Sequence, residues 1–424
     1  MRIPRVETLW SLLVALAILL AAAAVPAQVP VDAPGQVESL DAASDPHWIW
    51  VSDVLMQRRA LVDLDDGRFL GLISTGYSAL IGVQASKTPE IYVPETYYSR
   101  GSRGERTDVV TIYDAQSLLA TAEVTIPPKR AHNILPSANT ALTDDDRFLA
   151  VFNLTPATSI SIVDMQTRSF TVEIQTPGCS LVYPAGPRRL LMLCGDGTLL
   201  VVKLSDAGQL ASKHQTEPFF DPRSDPVTEK AVRARDAWVF VSFEGMLHRV
   251  DVSGDEIAFD EPWSLVSDAE RKQSWRIGGS QHLALHRASG QLYSLMHQGG
   301  ADTHKQPGTE LWVYDLAKRE RVRRIELAHP GFSLMGQDIE VGQDWVWPFN
   351  GLWDWMLGSV LPNPGLLHVQ VTQDDEPLLV TSSMIGSSMA VYDARSLELL
   401  RRVSAGNLTV SSLQLGWLRS DGGQ

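Results

Sequence analysis

The stretch SMAVYDARSLELLRRV (388–403) reads as an apolar strand, a turn opened by Asp393 and a second strand. The same frame returns in TELWVYDLAKRERVRRI (309–325), DVVTIYDAQSLLATAEV (108–124) and SISIVDMQTRSFTVEI (159–174). In each, apolar residues lead into an Asp, and a Val or Ile stands ten residues beyond it. ALVDLDDGRFLGLI (60–73) fits with Asp63 and Ile73; LLVVKLSDAGQLASK (199–213) fits with Lys203 in the Asp place, and MLHRVDVSGDEIAFDEPW (246–263) with Asp251. Seven units follow one another, marked at 63, 114, 164, 203, 251, 315 and 393. Most of these intervals lie close to the length of a four-stranded propeller blade and exceed that of leucine-rich or ankyrin units. Between the markers, RFLAVFNL (147–154), RLLMLCGDG (189–197), AWVFVSFEG (237–245) and QLYSLMHQG (291–299) are short apolar runs ending in turn residues. The expected fold is therefore all-β, a seven-bladed β-propeller. A short helix is expected only around SLVSDAERKQSW (264–275). Alternating side chains are expected to bury one face of each sheet against the next blade, while the Asp accepts backbone N–H bonds in its turn.

The chain opens with Arg2 and Arg5, an apolar run from Leu9 to Val25 and the small-residue site Val25-Pro26-Ala27. That order predicts a signal peptide over 1–27, export to the periplasm and one propeller domain over 28–424. An uncleaved anchor is the competing reading, although a run of about 17 residues is at the lower limit for a membrane span. Removing 1–27 takes away two Arg and one Glu and moves the formal charge from −14 to −15. Such an acidic chain is a poor partner for nucleic acid or anionic membrane. Only two cysteines occur, Cys179 and Cys194, and in an exported chain they read as a disulfide contributing about 3 kcal/mol in the chain-entropy model.

Catalytic signatures are missing from the sequence: no phosphate loop, dinucleotide fingerprint or nucleophile elbow is present. His282, His286, His297 and His304 cluster in the sixth unit, but on strands an i, i+4 pair is too far apart to share a metal, so polar strand positions are expected. The acidic runs at 144–146 and 374–375 read as hairpin turns, and KRERVRR (318–324) as an alternating solvated strand face. NLT at 153 and 407 fits the glycosylation sequon, a weak motif. The insertion HPGFSLMGQDIEVGQDWVWPFNGLWDWMLGSVLPNPG (329–365) holds Trp345, Trp347, Trp353 and Trp355. It reads either as a contact surface or as a loop folded back on the chain. On residues alone the chain is a binding scaffold.

ERTDVVTIYD (105–114), TIPPKRAH (125–132), TPATSISIVD (155–164), GCSLV (178–182) with LCGDGTL (193–199), DEPWSLV (260–266), ALHRASGQLYSLMH (284–297) and THK (303–305) carry a family resemblance. In that order they resemble the heavy subunit of quinoprotein amine dehydrogenases, in texture closer to the aromatic amine dehydrogenase branch than to the methylamine branch. The likeness runs from about residue 37 to 420 and is interrupted by the insertion. It implies a seven-bladed propeller in a periplasmic α2β2 complex, with no catalytic residue, metal or cofactor in this chain. The small light subunit would carry tryptophan tryptophylquinone, deaminate a small primary amine to aldehyde and ammonia, and pass electrons to a blue-copper protein of azurin or amicyanin type. The resemblance places Tyr77 of STGYSALIG (74–82) on the wall of the substrate channel, where the family usually has Phe, with Leu80 beside it. It also pairs Cys179 with Cys194. Two alternatives stay open: a stand-alone periplasmic propeller that binds a ligand or protein, and a propeller hydrolase with its own metal.

Overall fold

The computed structural model describes residues 38–79, 81–132, 137–327, 332–334, 337–339, 365–383, 388–406 and 409–416. All but Glu38 belong to one compact unit, Ser39–Gln424. The expected signal peptide, Leu80, Asn407 and the four tryptophans of the 329–365 insertion lie outside the described residues. Of that insertion a short hairpin, Phe332–Leu334 with Gln337–Ile339, is described as backbone.

Seven antiparallel sheets stand around an axis. Blade 2 shows the plan: Val83–Gln84, Glu90–Tyr98, Arg106–Asp114 and Ala120–Ile126, paired in chain order. First strands of successive blades lie against one another and face the axis. Fourth strands form the rim, and Leu210–Gln215 in blade 4 is exposed throughout. Blade 1 is assembled from both ends of the unit. Its first strand, Ser412–Leu415, pairs with Trp48–Asp53, which continues into Arg58–Asp63 and Phe69–Ser74.

The frame with Asp and the apolar residue ten places on is the hairpin of third and fourth strands. The residue four before each marker pairs with the residue ten after it, as in Val110↔Val124, Ile160↔Ile174, Leu311↔Ile325 and Met389↔Val403. A register shift directly ahead of each of these Asp residues sets that offset. The turns behave as expected. Asp114 Oδ1 accepts from Gln116 N and Ser117 N at 3.2 and 2.7 Å, and Asp164 and Asp393 repeat the arrangement.

The burial pattern corrects one expectation. Middle strands are covered on both faces because each blade is clasped between two others. In Trp48–Asp53, Ile49 and Val51 pack with Val380, Met389 and Val391 of blade 7, while Trp48 and Trp50 pack with Ile91 and Val93 of blade 2. Strands such as FLAVFN (148–153) are therefore apolar at consecutive positions and buried throughout. The helix forms at Asp268–Lys272, capped by Ser267 in a capping box with Glu270. Cys179 and Cys194 are directly opposed partners in blade 4 and form the disulfide.

Candidate functional site

Along the blades, the connections leaving fourth strands and the turns between second and third strands share one face of the ring. Tyr77 lies there, in the segment joining blades 1 and 2. Its backbone is tied from both sides: Tyr77 N donates to Thr96 O at 2.8 Å, and Gly76 N donates to Glu95 Oε1 at 2.8 Å. Thr75 N and Ser78 N donate to Gln57 O and Gln57 Oε1 at 2.9 and 2.6 Å. A Cβ on Gly76 would stand 2.9 Å from Thr96 O, so glycine is what lets the segment approach the blade.

Charge beneath the segment completes the clamp. Arg130 is only 7% exposed; its Nη2 donates to Tyr77 O at 2.8 Å and its Nε to Thr96 Oγ1 at 3.0 Å. Buried Asp108 accepts from Arg130 N at 2.8 Å and from Arg106 Nε and Nη2 at 2.9 and 2.7 Å. Burial lowers the Arg130 pKa to about 10, against the charge of Asp108, so the guanidinium stays protonated at neutral pH. Buried Glu95 also accepts from Tyr97 OH at 2.9 Å and from Thr111 Oγ1. Through this clamp a fixed backbone displays a side chain that is 42% exposed at Tyr77. Its ring meets Tyr98 and His132, and no hydrogen bond to its hydroxyl is found among the described residues.

His132, Arg130 and Tyr98 were not singled out by sequence reasoning. The available signal was TIPPKRAH (125–132), whose last turn is pinned along blade 3 by Ala131 N to Phe152 O at 2.9 Å and by a Lys129–Glu173 ion pair at 2.9 Å.

The other candidates have structural roles. His282 Nε2 lies 3.4 Å from Thr228 Oγ1, and His286 joins Ser289 Oγ at 2.8 Å and Asp374 O at 3.1 Å. His297 meets Thr303 Oγ1 at 2.9 Å, and His304 stacks on Phe243 at 3.6 Å. Among the described residues no group of three or more His, Cys, Asp or Glu is placed to hold a metal ion. The 144–146 run ties blades together: Asp146 Oδ2 accepts from Ser86 N at 2.6 Å, Asp145 pairs with Arg188 and Asp144 with Arg233. Asn153 is fully buried, its Nδ2 donating to Ser159 and Ser161 Oγ at 3.0 Å each, so that sequon is closed to modification. Along KRERVRR the outer strand is exposed at nearly every position instead of alternating, and Arg321 and Arg324 fold back over Trp312.

A family model described as methylamine dehydrogenase heavy chain matches residues 45–345. The methylamine dehydrogenase heavy chain of Paracoccus versutus is 27% identical over 369 residues, 85% of this chain and 77% of its own. That of Methylobacillus flagellatus is 28% identical over 270 residues, 63% of this chain and 67% of its own. Among solved structures, a functionally unknown protein from Desulfotomaculum acetoxidans aligns with TM-score 0.55 at 12% identity, covering 87% of this chain and 98% of that one, a likeness of fold alone.

Proposed function

The chain belongs to the methylamine dehydrogenase heavy chain family, and from that premise we propose that it is the non-catalytic scaffold of a tryptophan tryptophylquinone-dependent amine dehydrogenase. As a heavy subunit of an amine dehydrogenase it has a light-subunit partner. Our reading adds a periplasmic α2β2 assembly, a quinone carried by the light subunit, a blue-copper acceptor of azurin or amicyanin type and a small primary amine as substrate. Bound in that complex, the quinone supplies the two-electron oxidant that takes a primary amine and water to aldehyde and ammonia.

This chain's own residues fit a supporting role. Its closest described tryptophan pair, Trp275 and Trp312 at 5.2 Å, is buried in blade 6 and covered by Arg324, so no amine reaches it. Tyr77 is the observation that carries the channel reading: a clamped backbone presents an exposed ring at one face of the propeller. Such a ring can close the end of a channel, exclude water from it and limit the length of the amine. Tyr in place of the usual Phe keeps the aromatic wall and adds a hydroxyl. In our reading, a substrate of the aromatic branch, phenylethylamine, stands as a candidate beside the methylamine in the relatives' names.

Purification from the native periplasm under mild conditions tests the assembly. The expected outcome is a small co-purifying chain and a visible absorbance that bleaches on adding phenylethylamine or methylamine, which also ranks the two amines. A colourless, lone chain would instead make this a stand-alone binding scaffold. In the complex, Tyr77→Ala is expected to move the preference toward longer amines by about tenfold per added methylene. An unchanged ratio of kcat/KM values across an amine series removes Tyr77 from the channel wall.

A further inference from the structure

Two aromatic side chains, Tyr98 and His132, touch the Tyr77 ring. Tyr98 and His132 stand edge-on to it, with ring centroids at 5.9 and 5.3 Å and interplanar angles of 88° in both cases. They also meet each other, at 6.3 Å and 84°, and the Tyr98 hydroxyl lies 3.1 Å from His132 Nε2. Burial, reinforced by Arg106 and Arg130, holds His132 below its usual pKa, which favours the neutral ring at neutral pH. With its proton on Nδ1, Nε2 accepts from the Tyr98 hydroxyl.

Backbone fixes both partners. Tyr98 ends the strand Glu90–Tyr98 opposite Arg106, and His132 follows Ala131 and Arg130, which are tied to Phe152 O and to Asp108. Among the described residues the Tyr77 ring has no comparable tether.

We propose that Tyr98 and His132 are positioning residues, a hydrogen-bonded aromatic pair that fixes the direction of the Tyr77 ring. The wall then has one position and rejects long amines by steric exclusion; a free ring would turn aside and admit them. The selectivity half of this proposal rests on the channel reading of Tyr77, whereas the bracing half does not.

The experiment uses the complete complex grown with fluorotyrosine. Fluorine NMR identifies Tyr77 as the resonance lost in Tyr77→Phe. That resonance is expected to move in His132→Ala and in Tyr98→Phe, and to return part of the way in His132→Gln, whose amide oxygen can accept the Tyr98 hydroxyl. In parallel, the kcat/KM ratio of butylamine to methylamine is expected to rise by up to about tenfold, the value of one methylene in an apolar pocket. A Tyr77 resonance that stays in place in these variants overturns the bracing, whatever the kinetics show. A displaced resonance with an unchanged amine ratio overturns the selectivity half. If Tyr77→Ala also leaves that ratio unchanged, the channel reading fails with it, while the NMR result still decides the bracing. Should His132→Ala fail to assemble, Tyr98→Phe, which removes a single oxygen atom, carries the same comparison.

Discussion

Arg130 lies 53 residues from the Tyr77 carbonyl it holds and 34 from Thr96. No local spacing announces such a bond. The contact exists because connections leaving neighbouring blades run side by side on one face, so a family motif could point to Tyr77 while the bonds that hold its backbone stayed hidden. The consequence can be measured. Arg130→Met would keep most of the apolar stem and leave the Tyr77 carbonyl and the Thr96 hydroxyl without their donor. Losing partners for buried polar groups is expected to cost about 2–3 kcal/mol, read as a lower urea midpoint at unchanged slope. Arg130→Lys is expected to recover only part of it, since one ammonium cannot reproduce the guanidinium fork. Tyr77 in Arg130→Met should also become accessible to chemical modification faster than in the parent chain.

At the scale of the element, legibility follows sequence distance. The third-to-fourth-strand hairpin was readable because its marker, its turn and its register all fall within one short stretch, such as the one from Val110 to Val124. The turn's other requirement was not readable. The fourth residue after the marker has positive φ in Leu118, Arg168, Arg319 and Leu397, where no glycine advertises it. Only Gly67 does so in the expected way. What holds a leucine or arginine there is the hairpin around it, including the bonds to the Asp carboxylate. Hydrogen bonds from Ser117, above all from its backbone N–H, hold the Asp114 carboxyl below the usual 3.8. A depressed pKa stabilises the fold above the unfolded value and the contribution fades as pH falls through the folded one. Asp114→Ala is therefore expected to lower stability by about 1 kcal/mol at neutral pH. The melting difference between parent and variant should close as the pH is brought below about 3. A difference that stays constant down to acid would mean that the carboxylate's bonds contribute nothing to the turn.

Seven blades could be counted in the sequence because a repeat is visible without knowing what it touches. Closure of the ring could not, because SLQL (412–415) carries no marker and finds its place only against Trp48–Asp53 at the other end of the unit. Pairing both ends in one blade leaves no open edge at the seam, and charged side chains reinforce it. His47 Nδ1 meets Asp65 at 2.9 Å within blade 1, and its Nε2 meets Asp374 of blade 7 at 3.2 Å. Arg401 of blade 7 reaches back to Leu64 O at 2.8 Å. Burial pulls the His47 pKa down, but Asp65 and Asp374 outweigh it and leave the pKa above 6.5. A raised histidine pKa contributes stability that is complete below the unfolded value and is lost as pH rises through the folded value. The melting temperature of His47→Ala should thus fall furthest below the parent's near pH 5.5 and approach it by about pH 9. Hydrogen exchange should locate the loss. Amides of Trp48–Asp53 and Ser412–Leu415 are expected to exchange faster in the variant at low pH, while those of blade 4, across the ring and closed by its disulfide, keep the parent's protection. A deficit of the same size at both pH values would assign His47 the role of a neutral hydrogen-bonding spacer, and the seam would then depend on strand pairing, on the packing of Ile49 and Val51 against blade 7, and on arginines such as Arg401.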